Sequence, residues 1–248
     1  LCSVDQAGPR TDRERMDYDV VIVGAGPAGL SAAIRLRQLD AGLTVCVLEK
    51  GAEVGAHVLS GNVFEPRALD ELLPDWRDTD VPIGLPAVDD EFYVLTEKSG
   101  FRLPTPPQMR NHGNYVLSLS QMTRWLGQRA EDLGVEIYAG FSCSEVLTNP
   151  KTGRVAGVAT KDMGIARDGS RKDTFEPGME IGGRVTLLAE GAHGSLSKHV
   201  MNQFDLRKGD NRCPQTYALG VKEVWRIDPS KHIPGKVWHS IGYPLDSQ

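Results

Sequence analysis

"VVIVGAGPAGLSAA", Val20 to Ala33, joins an apolar run to three glycines and then to small residues at helical spacing. The run from Tyr18 to Val23 is short, β-branched and ended by glycine, so it reads as a buried parallel strand. Pro27 to Leu39 reads as a helix, because proline suits a first turn and Leu30, Ala33 and Ile34 share one face. "TVCVLE", Thr44 to Glu49, is a second buried strand. Strand, turn, helix and strand make one crossover unit.

The spacing Gly24-x-Gly26-x-x-Gly29 gives each glycine a task. Gly24 allows the tight turn, Gly26 lets a pyrophosphate approach the backbone, and Gly29 lets the helix pack on the strand. Pro27 and Ala28 open the helix, whose N-terminus favours phosphates. Glu49 ends the second strand, 20 residues after Gly29. Its carboxylate is placed for the ribose hydroxyls and repels a 2′-phosphate, which argues against NADP. This motif does not separate FAD from NAD.

A second unit bears on that choice. "LLAEGAHGSLSK" follows what reads as a buried strand, Arg184 to Ala189, and leads into a helix from Ser195. An acid–glycine turn there, Glu190-Gly191, resembles the second flavin fingerprint of hydroxylase-like flavoproteins. The plainer reading is a strand-to-helix turn with Glu190 in solvent. "GAEVGAHVLSGN" follows Glu49 directly, so Lys50, His57, Ser60 and Gly61 are candidate cofactor neighbours, with a structural histidine the alternative for His57.

Elsewhere, Pro66–Leu73 predicts a short helix, 74–90 a loop, Glu91–Thr96 a strand and 101–115 a long proline-rich loop. Ser118, with Gln121 three residues on, starts a helix by a capping box, and Gly134 ends it. "VEIYAG" predicts a strand, and "CSEVLTN" and "VAGVATK" a hairpin. "QTYALGVKEVWRI" and "KVWHSIGY" alternate and predict an antiparallel sheet of a second domain.

Composition narrows the classes. The 248 residues carry a net charge of −5 with no basic block, which gives a nucleic-acid partner no support. Cys2, Cys46, Cys143 and Cys213 form no Cys-x-x-Cys pair, so no metal or iron–sulfur site is built from this stretch, and a reducing compartment is expected. Val20–Ile34 is too short to span a membrane. Residues 1–16 are polar and patternless and read as a disordered leader or tail. There is no Gly-x-Ser-x-Gly elbow, phosphate loop or metal-spaced His/Cys cluster, and no residue is assigned as a catalytic acid or base. Redox through a bound cofactor is left. The 101–115 loop sets Phe101, Leu103, Pro104, Pro106 and Met109 between Arg102 and Arg110. It fits a buried interdomain loop or a segment dipping into a membrane interface.

"DYDVVIVGAGPAGLSAAIRL", "VLEKGAEVGAHVLSGNVFEPRALDELLPDW", "NHGNYVLSLSQMTRWLGQRAEDLGVEIY", "LLAEGAHGSLSK" and "QTYALGVKEVW" together resemble the electron transfer flavoprotein–ubiquinone oxidoreductase family. The "GAH-LSGN" and "NHGNY" stretches are not general flavoprotein motifs. The resemblance implies an α/β fold: a two-motif FAD-binding Rossmann-like domain (17–83 and 115–204) and part of an antiparallel-sheet quinone domain (84–114 and 205–248). It implies FAD and one [4Fe–4S] cluster, electrons from reduced electron transfer flavoprotein, ubiquinone as acceptor, and a monotopic place on the matrix side of the mitochondrial inner membrane, or on the cytoplasmic membrane of a bacterium. It sets the glycine turn, Glu49 and Glu190-Gly191 at the flavin and Phe101–Met109 toward membrane and quinone. The family's chain is more than twice as long and its cluster cysteines are not in this one, so an N-terminal fragment, inactive alone, is the expectation. An NAD(P)H-dependent flavin hydroxylase or prenyl reductase, and a non-catalytic FAD-binding fragment, stand as alternatives.

Overall fold

The computed structural model describes residues 13–59, 61–208 and 215–244. In chain order the elements are β1 (Arg15–Val23), α1 (Pro27–Leu39), β2 (Val45–Glu49), β3 (Asn62–Phe64), α2 (Arg67–Leu72), β4 (Leu85–Pro86), β5 (Asp89–Leu95), β6 (Gly100–Leu103), β7 (Tyr115–Leu117), α3 (Leu119–Asp132), β8 (Glu136–Ala139), β9 (Cys143–Thr148), β10 (Val155–Thr160), β11 (Met163–Ile165), β12 (Arg171–Glu176), β13 (Glu180–Leu188), α4 (Ser195–Gln203) and β14 (Lys236–Gly242). The chain divides into two compact units. The first runs to Val58 and resumes from Thr123 to Lys208; the second is Leu59–Met122 with the chain after Lys208.

The first unit is built on a six-stranded sheet of order β8-β2-β1-β13-β10-β9. β8, β2, β1 and β13 run parallel, and β10 and β9 continue antiparallel. Val20–Val23 and Val45–Leu48 are buried, as strands covered on both faces must be. α1 spans the expected residues and buries Leu30, Ala33 and Ile34. The Ser118 hydroxyl accepts from the Gln121 N–H at 3.4 Å ahead of α3, and Gly134, at φ +81°, closes its end.

Two expectations for this unit are corrected. Residues 13–16 are not a disordered tail. β1 begins at Arg15, which pairs with Glu180, and the Arg13 guanidinium donates two hydrogen bonds to the Glu145 carboxylate. Residues 1–12 lie outside the described ones. β13 starts at Glu180 rather than Arg184, and only its first residues are buried; Val185 is 51% exposed.

The second unit holds two three-stranded sheets, β14-β5-β6 and β3-β7-β4. Residues 62–64 fall in it because β3 pairs with β7, which also pairs with β4. The division therefore lies at Val58 and Met122, where the sequence suggested 83/84 and 114/115. The buried Trp76 sits in a 3₁₀ turn within the expected 74–90 loop, its Nε1–H donating to Asp70 Oδ1 at 2.8 Å.

Three further expectations fail here. The 101–115 stretch is not all loop, since Gly100–Leu103 forms β6, antiparallel to β5. β14 pairs with β5 in parallel, so the sheet is mixed, not antiparallel. Residues 215–227 join no strand ladder among the described residues, although their apolar residues alternate.

Candidate functional site

The C-terminal ends of β1, β2 and β13 open on one cleft of about 600 Å³ in the first unit. Gly24 stands at φ +108° and donates its N–H to the Leu48 carbonyl at 2.8 Å. A β-carbon on Gly24 would lie 2.4 Å from the Ala189 carbonyl oxygen, so the first glycine turn is pressed against the end of β13. A β-carbon on Gly29 would lie 2.0 Å from the Gly24 carbonyl oxygen, which fixes the close approach of helix to turn. Gly26 has nothing within 4 Å of that position. The space beside it faces the cleft, and Gly26 brings no side chain to cap α1. Pro27 and Ala28 line the same wall, leaving the start of α1 open to an anion.

Glu49 ends β2 at the cleft. One of its oxygens accepts the Ala25 N–H at 3.0 Å and the other the Gly51 N–H at 2.7 Å. Each oxygen keeps acceptor capacity, and the two amides fix the carboxylate's orientation. Lys50, Gly55 and His57 continue the lining. Ser60 lies outside the described residues. Gly61 belongs to the second unit, at φ +77°, where its carbonyl accepts a hydrogen bond from the Lys222 ammonium.

Glu190 and Gly191 also line the cleft. The Glu190 carboxylate is not left to solvent. It accepts the N–H groups of Ser195, Leu196 and Ser197 at the start of α4. Gly191 is exposed at φ +80°.

Phe141, Ser142 and Cys143 form a stretch of the wall that the sequence did not flag. Phe141 and Ser142 lie between β8 and β9, Cys143 opens β9, and none matches a motif, so no local signal marks them. Burial pushes the Cys143 thiol up to about 12, and the Glu190 charge adds to the rise. It stays a thiol at neutral pH, which removes it as a nucleophile. His193, also in the wall, lies with its Nδ1 3.3 Å from the Lys198 ammonium.

A pyrophosphate-bearing dinucleotide fits this donor set: an open glycine backbone, a free helix start and an oriented carboxylate. Family models agree in part. A model described as an NAD(P)-binding Rossmann-like domain matches residues 22–74, and one described as ETF-QO, ubiquinone-binding matches residues 217–248. Whole-chain similarity is more decisive. The chain is 60% identical to the mitochondrial electron transfer flavoprotein–ubiquinone oxidoreductase of Arabidopsis thaliana, over 94% of this chain and 37% of that one. It is 49% identical to the Pseudomonas aeruginosa enzyme of that name, over 96% of this chain and 44% of that one. By sequence the chain is similar to electron transfer flavoprotein–ubiquinone oxidoreductases along nearly its whole length. It spans about two fifths of the length of these relatives.

Solved structures add the fold alone. The flavin-dependent brominase Bmp2 matches at TM-score 0.50 and 21% identity, over 71% of this chain and 38% of its own. PqsL of P. aeruginosa, in complex with 2-aminobenzoylacetate, matches at TM-score 0.51 and 17% identity, over 81% of this chain and 48% of its own.

The residues that the family resemblance sets toward quinone and membrane lie in the second unit. Phe101 and Leu103 are on β6, 59% and 42% exposed. Pro104 is exposed, and Pro106 and Met109 are half-buried around the 3₁₀ turn Pro107–Met109. Asp90 holds this stretch: its carboxylate accepts the Asn111 backbone N–H and side-chain amide, both at 2.7 Å. Burial works against the Asp90 charge, but these bonds and the nearby His239 outweigh it and hold the carboxyl below its ordinary value.

Proposed function

We propose that this chain supplies the FAD-holding part of an electron transfer flavoprotein–ubiquinone oxidoreductase, which takes electrons from reduced electron transfer flavoprotein and passes them to ubiquinone. One observation carries the cofactor reading. Gly24 locks the first glycine turn against Ala189 of the second motif, while the neighbouring Gly26 leaves its β-carbon space empty at the cleft. Gly24, Gly26, Pro27, Ala28 and Gly29 take the diphosphate side, and Glu49 and Lys50 the ribose side. His57 and the Glu190-Gly191 turn serve the flavin side. FAD brings the capacity to exchange electrons singly or in pairs. The chain's own residues bind and orient it.

The [4Fe–4S] cluster that the resemblance implies finds no place in the described part of the chain. No group of three or more His, Cys, Asp or Glu among the described residues is able to hold a metal, and Cys46 and Cys143 are both free thiols. No step through a cluster is assigned to this chain. No described helix is long and apolar enough to cross a membrane. We place the protein in mitochondria, on the matrix surface of the inner membrane, with Phe101, Leu103, Pro104, Pro106 and Met109 facing lipid and quinone; in a bacterium the cytoplasmic membrane takes that part. The mitochondrial relatives support the first and the apolar residues of 101–109 the second.

Gly26→Val tests the cofactor reading. Its side chain enters the cleft where the diphosphate passes, yet meets no protein atom at the β-carbon. FAD binding should fall at least about tenfold while the unfolding free energy of the FAD-free chain stays within about 0.5 kcal/mol of wild type. FAD bound normally by Gly26→Val overturns the site. Reduction of the bound flavin by NAD(P)H at a catalytic rate moves the function to the hydroxylase or reductase class.

A further inference from the structure

The two helices that begin at the cleft are capped differently. α1 starts at Pro27 behind a glycine with no capping side chain. α4 starts at Ser195, and its first amides converge on one carboxylate. Ser195 and Leu196 N–H donate to Glu190 Oε1, each at 3.1 Å. Ser197 donates to Oε2 through its N–H and its hydroxyl, each at 2.7 Å.

The loop is built around this contact. A β-carbon on Gly194 would lie 2.7 Å from Glu190 Oε2, so the missing side chain at 194 makes room for the carboxylate. Gly194 is buried, while Gly191, Ala192 and His193 are exposed. The carboxylate thus pins both ends of the 191–194 turn. Its bonds are charge-assisted and lie on the positive end of a helix dipole, the strongest arrangement these groups offer.

Two consequences follow. An anion of the protein itself already occupies the start of α4, which leaves a ligand's diphosphate to α1. The Glu190 charge is spent on the α4 amides, so the acid can border a cleft for a negatively charged cofactor. We propose that Glu190 is a positioning residue: by capping α4 it fixes the 191–194 turn as a wall of the cleft, without holding the cofactor itself. This rests on the reading that the cleft takes FAD.

The test pairs an FAD titration of the chain with amide hydrogen exchange, in wild type, Glu190→Gln and Ser197→Ala. In Glu190→Gln an NH₂ group replaces one carboxylate oxygen, and whichever way the amide turns that nitrogen cannot accept from the α4 N–H groups it faces. Glu190→Gln should raise the Kd for FAD about tenfold or more and speed exchange at residues 195–197 about as much, with β1 and β2 amides unchanged. Ser197→Ala keeps the charge and removes one bond, so both quantities should move together by about two- to threefold. It decides the matter if Glu190→Gln does not fold. A weaker Kd with wild-type exchange at 195–197 overturns the proposal in favour of direct contact with the cofactor. Faster exchange with an unchanged Kd overturns it in favour of a cap with no part in the cleft, and no change in either overturns it outright. A wild-type chain that takes up no FAD sinks the underlying reading as well, whereas wild-type binding beside tight binding by Glu190→Gln sinks the Glu190 role alone.

Discussion

At the scale of single residues, the three glycines of the first turn share a spacing but not a burden. Gly24 combines a left-handed φ of +108° with a β-carbon position 2.4 Å from the Ala189 carbonyl oxygen. Gly26 has neither constraint. Gly24→Ala should therefore destabilise the FAD-free chain by at least about 2 kcal/mol, through strain and a backbone clash together. Gly26→Ala should leave the FAD-free chain within about 0.5 kcal/mol of wild type. Urea unfolding of both variants checks this; equal losses would mean that both glycines serve the fold rather than one serving a ligand. The sequence made this division legible because the motif lies within one short crossover, where each glycine's neighbours are set locally. It did not show that Glu190 turns its carboxylate onto α4. "EGAHGS" is equally compatible with an acid aimed at solvent or at a ligand, and only the bonds to Ser195, Leu196 and Ser197 separate these.

At the scale of elements, Asp19 brackets three strands of the parallel sheet. Its carboxylate accepts the Thr44 N–H and hydroxyl, each at 3.0 Å, and the Arg184 guanidinium at 2.9 Å, while its own N–H donates to the Thr44 hydroxyl at 2.9 Å. The Thr44 N–H, then Arg184 and the Thr44 hydroxyl, lower its pKa to about 2 from an ordinary 3.8. A lowered folded-state pKa adds stability above the unfolded value and loses it as pH falls toward the folded one. Asp19→Asn should unfold at lower urea than wild type at pH 7, and the gap should close as pH drops from about 4 toward 2. A gap that stays constant across that window would assign the effect to shape rather than charge. No motif announces this bracket; the neighbouring crossover, by contrast, was readable to within a few residues. β14 shows the opposite case. Alternation in "KVWHSIGY" gives a strand and its two faces, but the same pattern suits a parallel or an antiparallel neighbour. Its pairing of Lys236 with Asp89 depends on residues far apart in sequence. Residues 215–227 carry the same alternation and join no ladder among the described residues, because a pattern supplies a face and not a partner.

At the scale of the molecule, the β14-β5-β6 sheet of the second unit leaves large apolar side chains bare. Phe101 and Ile241 flank Val94 in register, and Leu103 lies beside Phe92 on the same side. Phe101 and Ile241 are 59% and 54% exposed. The opposite face carries Glu91 between Arg102, at 3.0 Å, and Lys236, at 2.6 Å. The Lys236 bond, then burial working against it and the Arg102 charge with it, leave Glu91 ionised below its ordinary pKa. Bare apolar groups in register across a sheet, as Phe101 and Ile241 are, suit a surface resting on lipid, while Trp238, 62% exposed, lies with Tyr93 on Glu91's side. Uncharged lipid separates apolar burial from any pull of anionic lipid on Arg102 and Lys236. Neutral phosphatidylcholine vesicles are the right probe. Burying a large apolar side chain is worth roughly 1.5–3 kcal/mol when complete, so Phe101→Asp should weaken partition into these vesicles about tenfold even when insertion is partial. Ile241→Asp should act to a similar degree, because it borders the same Val94. Flotation of the FAD-loaded chain with vesicles reads both variants. If Phe101→Asp and Ile241→Asp float as wild type does, the apolar face of this sheet does not meet lipid, and the exposed pair must be assigned to contacts with protein instead.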